Sequence, residues 1–173
     1  MTEPWLQGTW NDVGAVQRAV LHALELARDD LRTWCEPMTD AEMHVSPAIA
    51  VNPVAFHIRH IARSIDRLLT YAEGGELSPE QLEALRSEQD TDASKTELFA
   101  ELRRTLLKAA TRIRAFDASR LEEQRFVGAQ RLSTSLAGLL VHVADHTQRH
   151  VGQAITTAKV VMARRGNATS EVS

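Results

Sequence analysis

His142, His146 and His150 recur at four-residue intervals in the last third of the chain. On an α-helix that spacing stacks neighbouring side chains on one face, with Cβ atoms about 6 Å apart, so that two imidazoles can converge on one metal ion. A third protein ligand must then come from another segment, and His57 and His60 are two candidates far earlier in the sequence. The competing account of any single i,i+4 histidine pair is local hydrogen bonding on a polar or core face.

Helical phase discriminates within the later group. With 100° per residue and His142 at zero, the apolar positions Leu136, Leu139, Val143, Val151, Ala154, Ala158 and Val161 centre near about 120°, His150 falls near about 80° and His146 near about 40°. His146 and His150 therefore face the interior, and His142 flanks them. In the earlier segment, Val54, Ile58, Ile61, Ile65, Leu68 and Ala72 form the apolar stripe, with His57 and His60 on one side of it. Periodicity places His57 nearer the core and leaves the choice between the two open.

Four helices must position these residues. Val13, Val16, Val20, Leu24, Ala27, Leu31 and Trp34 trace the stripe of a first helix, from about Asn11 to Cys35, which Pro37 breaks. A long connection follows, and the pair Asn52-Pro53 predicts a second helix from about Pro53 to Glu73, with Asn52 capping it and Gly74-Gly75 ending it. Ser78 to Ser87 suits a short helical turn, and Glu88 to Ser94, which lacks a large apolar side chain, reads as connection. Ser94 and Glu97 have capping-box spacing ahead of a third helix, about Lys95 to Phe116, with Leu98, Leu102, Leu106, Ala109, Ile113 and Phe116 facing inward. After a linker containing Gly128, Ser133 or Thr134 caps a fourth helix reaching about Ala163, ended by Gly166. No segment combines period-two alternation with hairpin turns, so a sheet is not expected. Four amphipathic helices predict an all-α, four-helix bundle: one domain over residues 1–165 and a polar tail over 166–173.

The bulk numbers fit this reading and exclude others. The chain has 173 residues, 43% hydrophobic and 25% charged, which suits one domain with a sizeable core. A formal net charge of −3 with interspersed signs offers no basic stripe for a phosphate backbone, so nucleic acid is not an expected partner. One cysteine, Cys35, precludes an internal disulfide, and no apolar run is long enough to span a bilayer; a cytoplasmic protein is expected, with no membrane partner.

The run from Asn52 to Leu69, NPVAFHIRHIARSIDRLL, and the run from His146 to Gln153, HTQRHVGQ, resemble the DinB-like (YfiT/DinB) superfamily. The first carries a motif of the form H-I-A-x-S and the second one of the form H-x-x-x-H-x-G-Q. The resemblance implies a bundle of up-down-down-up order, often dimeric, and His60, His146 and His150 as metal ligands; it thus selects His60 over His57. It also implies a small-molecule substrate such as a low-molecular-weight thiol, since characterised relatives include thiol-dependent transferases. The expected function is a metal-dependent small-thiol S-transferase, with a metal-dependent hydrolase and a noncatalytic metal-binding or ligand-binding bundle as alternatives, and a homodimer as the expected assembly.

Three neutral imidazoles leave a tetrahedral ion a position for water or substrate, as in catalytic zinc sites. Zinc is the first expectation, and nickel, iron or manganese is compatible with the same ligands. His57 and His142 are positioned to shuttle protons or simply to hydrogen-bond. Asp145, next to His146, diverges from it by about 100° and reads as a solvated charge. Gln153 reads as a structural residue between helices, with hydrogen bonding near the metal, as part of the family-like motif, as the alternative, and Cys35 reads as a core or boundary residue rather than a nucleophile.

Overall fold

The computed structural model describes residues 2–89 and 92–170, and side chains as far as residue 165. In chain order the elements are α1 (Ala15–Cys35), α2 (Asp40–Met43), α3 (Val54–Ala72), α4 (Pro79–Arg86), α5 (Lys95–Ala115), β1 (Gln124–Val127), β2 (Leu132–Ser135) and α6 (Leu136–Ser170). The four long helices α1, α3, α5 and α6 form the bundle, and their inward stripes make one core.

Local chemistry sets several of the boundaries. The Ser94 hydroxyl accepts from the Glu97 backbone N–H while the Glu97 carboxylate accepts from the Ser94 N–H, so two orphan donors at the start of α5 are satisfied as the spacing predicts. Ser78 with Gln81 and Thr39 with Glu42 repeat the device at α4 and α2. At α3 the N-cap is Pro53, with no side-chain cap, so Asn52 does not fill the role expected of it. At α6 the Ser135 hydroxyl accepts from the Gly138 N–H at 3.1 Å, displacing Ser133 and Thr134 as the cap. Those two residues lie in β2, which pairs antiparallel with β1 around a turn where Gly128 and Arg131 have φ of 69° and 51°. This hairpin is a correction to the expectation of no sheet. Each strand has only four residues and alternates partly buried with exposed positions weakly, which is too little for a period-two signal. The α6 backbone also continues through Gly166 to Ser170, beyond the end expected near Ala163.

Cross-helix contacts give the order. Gln148 of α6 donates to the carbonyl of Ala23 in α1 and Arg165 pairs with Glu42 just past α1, so α1 and α6 run parallel. His57 and His60 of α3 meet His150 and His146 of α6, respectively, so those helices run antiparallel. Arg63 pairs with Glu101, and Arg112 with Asp66 and Glu73, so α3 and α5 run the same way. The result is up-down-down-up.

Two parallel neighbours in sequence, α3 and α5, require the chain to travel back along the bundle between them. It does so along the outside of α3: Gln81 bonds Asp66 and Thr70, Arg63 bonds the Ala84 carbonyl and the Ser87 hydroxyl, and Glu88 reaches His60. Part of the expected Glu88 to Ser94 connection, Asp90 and Thr91, lies outside the described residues.

Most stripe residues are buried as periodicity predicts, including Val20, Leu24, Leu31, Ile58, Ile61, Ile65, Leu98, Leu102, Leu139 and Val143. Trp34 departs from it: the ring is 39% exposed and lies under the Lys159 ammonium at 4.0 Å from the ring centroid, so it covers the α1/α6 seam from outside. Cys35 is fully buried, and desolvation pushes its thiol up to about 12, which makes it a core residue and not a nucleophile. Among the described residues no helix is long and apolar enough to cross a membrane.

Candidate metal centre

The antiparallel α3/α6 pairing brings His60, His146 and His150 together, one ring nitrogen from each lying within 4.8 Å of the other two. His146 and His150 come from successive turns of α6, their ring centroids 4.7 Å apart, and His60 enters from α3 with its centroid 4.3 Å from that of His150. Phe56, one turn before His60 and largely buried, stacks on the His60 ring at 5.3 Å with an interplanar angle of 14°, fixing the ring plane. His142 flanks the group from the exposed side, its ring 5.4 Å from that of His146.

The donor chemistry fits a divalent cation. The Nε2 atoms of His60 and His146 are 3.4 Å apart; two nitrogens each about 2.05 Å from a tetrahedral ion would lie about 3.3 Å apart. On two of the three rings the opposite nitrogen is already engaged. His60 Nδ1 is 2.8 Å from the Glu88 carboxylate, and His150 Nδ1 is 3.1 Å from His57 Nδ1. A proton held at Nδ1 leaves Nε2 with a lone pair, and this orientation by an outer partner is what metal-binding histidines typically show. His146 Nδ1 is buried without a partner.

Electrostatics keep His57, His146 and His150 neutral. Desolvation, reinforced by the neighbouring imidazoles, lowers His57, His146 and His150 from the ordinary 6.5 to about 4. Burial pushes the Glu88 carboxyl up, and hydrogen bonds from His60 and Arg67 outweigh it, so the group sits below the usual carboxylate range. A consequence follows for the metal-free protein. Below about pH 6.5 the unfolded chain takes up protons that the folded rings refuse until about pH 4, so the stability these rings contribute is complete above 6.5 and is lost as pH falls through that window. For His57, only 4% exposed, the loss is on the order of 2–3 kcal/mol. Urea midpoints measured in chelator at pH 7 and pH 4.5 should show the drop, and a His57→Phe variant should show less of it.

Periodicity placed His57 nearer the core than His60, and it is the more buried of the two; it reaches the group as the partner of His150. Asp145 is exposed and paired with Arg149 at 2.9 Å, as a surface charge. Gln153 is exposed and does not pack between helices as expected. Glu88 and Arg67 are the residues that the sequence reading did not single out. Glu88 looked like linker because its stretch has no large apolar residue to give it a phase. A signal did exist on α3, where His60 and Arg67, two turns apart, share a face beside the apolar stripe and converge on one carboxylate.

Comparisons with known proteins agree with this architecture. A solved structure of a conserved protein from Enterococcus faecalis aligns with a TM-score of 0.71 at 19% identity, covering 87% of this chain and 99% of that one. YfiT from Bacillus subtilis, described as a probable metal-dependent hydrolase with an unusual four-helix-bundle topology, aligns with a TM-score of 0.64 at 14% identity, covering 86% of this chain and 90% of that one. At such identities the likeness concerns the fold alone. No curated protein matches. The profile of the DinB superfamily matches residues 23–154, which include all four long helices in whole or part and every histidine of the centre, and the chain belongs to that superfamily.

Proposed function

We propose that the protein is a divalent-metal-dependent enzyme acting on a small molecule, with His60, His146 and His150 as ligands of zinc or, alternatively, of nickel, iron or manganese. In its finer form the proposal is a cytoplasmic, homodimeric S-transferase that joins a low-molecular-weight thiol to an electrophile. The observation that carries the metal dependence is the convergence of three imidazoles from two helices, two of which have the opposite nitrogen engaged by His57 and Glu88. When bound, a cation held by three neutral imidazoles keeps a coordination position free and lowers the pKa of the nucleophile that occupies it.

The chain's own residues orient and insulate. Phe56 and Glu88 fix the plane and the free nitrogen of His60, while His57 Nδ1 shares a hydrogen bond with His150 Nδ1 and holds that ring in position. His57, buried and kept neutral, is a positioning group rather than a proton carrier. His142, its side chain 46% exposed beside His146, is the most exposed histidine of the group. The alternative reading is hydrolytic, with water in the place of the thiol, and accords with the description of YfiT, which shares this fold, as a probable metal-dependent hydrolase.

One assay separates the readings. Metal-loaded protein is presented with a panel of electrophiles and several small thiols, and separately with amides and esters without thiol. Metal-dependent conjugation supports the transferase, ester or amide turnover without thiol supports the hydrolase, and inactivity at full metal occupancy overturns both in favour of a binding protein.

A further inference from the structure

We propose that Glu88, anchored by Arg67, is a positioning residue that selects the His60 tautomer able to bind metal. The proposal rests on the metal reading above and extends it to a residue outside the histidine set. Three observations carry it. Glu88 lies on the connection after α4, which returns along the outer face of α3, and it is 6% exposed although surrounded in sequence by polar residues. One of its carboxylate oxygens, Oε2, faces His60 Nδ1 at 2.8 Å, and the other, Oε1, accepts from the Arg67 guanidinium. The His60 ring is held in plane by Phe56, so the contact with Glu88 decides which nitrogen carries the proton.

The chemistry is directional. A neutral imidazole has one N–H and one lone pair. A carboxylate is an acceptor only, so the Nδ1–H form is favoured and Nε2 presents its lone pair towards His146 Nε2, 3.4 Å away. In the other tautomer an Nδ1 lone pair would face the carboxylate and an Nε2 hydrogen would point into the ligand set. Arg67 compensates the buried negative charge and holds the carboxylate in place, which an unpaired buried glutamate could not do at acceptable cost. The device also explains why a polar stretch crosses α3 at this point: the return connection delivers the outer partner of the first ligand.

The test uses the full chain and two measurements. Metal-free wild type, Glu88→Ala, Glu88→Gln and, as a ligand control, His146→Ala are titrated with Zn(II) against a chromophoric chelator, and the His60 ring nitrogens are observed by 15N NMR in the metal-free proteins. Glu88→Ala is expected to weaken zinc binding about 10–100-fold and to shift His60 away from the Nδ1–H form. Glu88→Gln keeps the side chain's size and one oxygen that can accept from Nδ1, but it loses the charge and turns an NH2 donor towards Arg67, so it should fold and show a loss of zinc affinity between wild type and Glu88→Ala; a merely structural carboxylate would leave the tautomer unmoved in both variants. Wild-type zinc binding with Glu88→Ala within threefold of it, or an unchanged His60 tautomer in Glu88→Ala, overturns the proposal. Absence of zinc binding in wild type overturns the metal reading instead, and the tautomer measurement still decides whether Glu88 orients His60.

Discussion

His146→Ala is expected to abolish stoichiometric metal binding and, with it, any metal-dependent turnover, while leaving the metal-free fold nearly as stable as wild type. The first half follows from its place: His146 shares the centre with one histidine from its own helix and one from α3, and its Nε2 is the partner of His60 Nε2 at 3.4 Å. Without it two imidazoles remain, and the loss must exceed the 10–100-fold that removal of an outer partner costs. The second half follows from what the ring costs when no metal is present. Its Nδ1 is buried without a hydrogen bond, and its basicity is already suppressed to about 4 by desolvation and by the other rings. A buried polar atom left unpaired costs about 1–3 kcal/mol, so deletion of the ring removes a penalty together with some packing. Metal content after supplementation and dialysis, with thermal midpoints in chelator and in excess zinc, checks both halves. A ligand at about 100 times its Kd stabilises a fold by about 2.7 kcal/mol, and for a chain of this length that is about 5–10 °C. Wild type should show that increment and His146→Ala should not. Equal metal content in the two proteins would remove the basis for the centre.

How much of this centre the sequence discloses depends on which physical signal each residue leaves. His146 and His150 are legible because α6 is long and regular enough for phase to be measured against a clear apolar stripe. His60 is not selected by phase: periodicity favours His57, correctly as regards burial, and only the family-like motif H-I-A-x-S points to His60. The reason is geometric. His60 has to reach past the buried stripe to His146 on another helix, so it stands at the margin of the stripe, and its neighbour closer to the core, His57, meets His150 across the interface. Glu88 leaves no local signal, because its role is set by the long return of the chain along α3, a property of topology. The same holds for the fold. The Ser94 and Glu97 capping box is a four-residue pattern and is legible; the β1–β2 hairpin has strands too short to establish a period. The Asn52 cap fails although its residue type is favourable, because Pro53 already supplies the N-cap conformation, with φ −70° and ψ 163°.

Ile61→Ala is expected to destabilise the protein by about 2–5 kcal/mol in chelator and in zinc alike. Ile61 is fully buried on α3, the helix that packs against both α6 and α5, and it follows His60 directly in sequence. Truncation removes three heavy atoms from a close-packed core, and the helical backbone on either side limits how far the site can collapse. Against a total stability of about 5–15 kcal/mol that loss is large, and it should appear as a lower urea midpoint with an unchanged slope. The contrast with His146→Ala is the useful part. Ile61→Ala should lower the midpoint in both conditions and keep the increment on zinc addition, because the ligand set survives whenever the bundle folds. His146→Ala should keep the chelator midpoint and lose the increment. Loss of the increment in both variants would mean that the centre is coupled to packing around α3 more tightly than a preformed site requires. Zinc affinity would then have to be assigned to the α3/α6 interface as a whole, with His60 moving when the core beneath it relaxes.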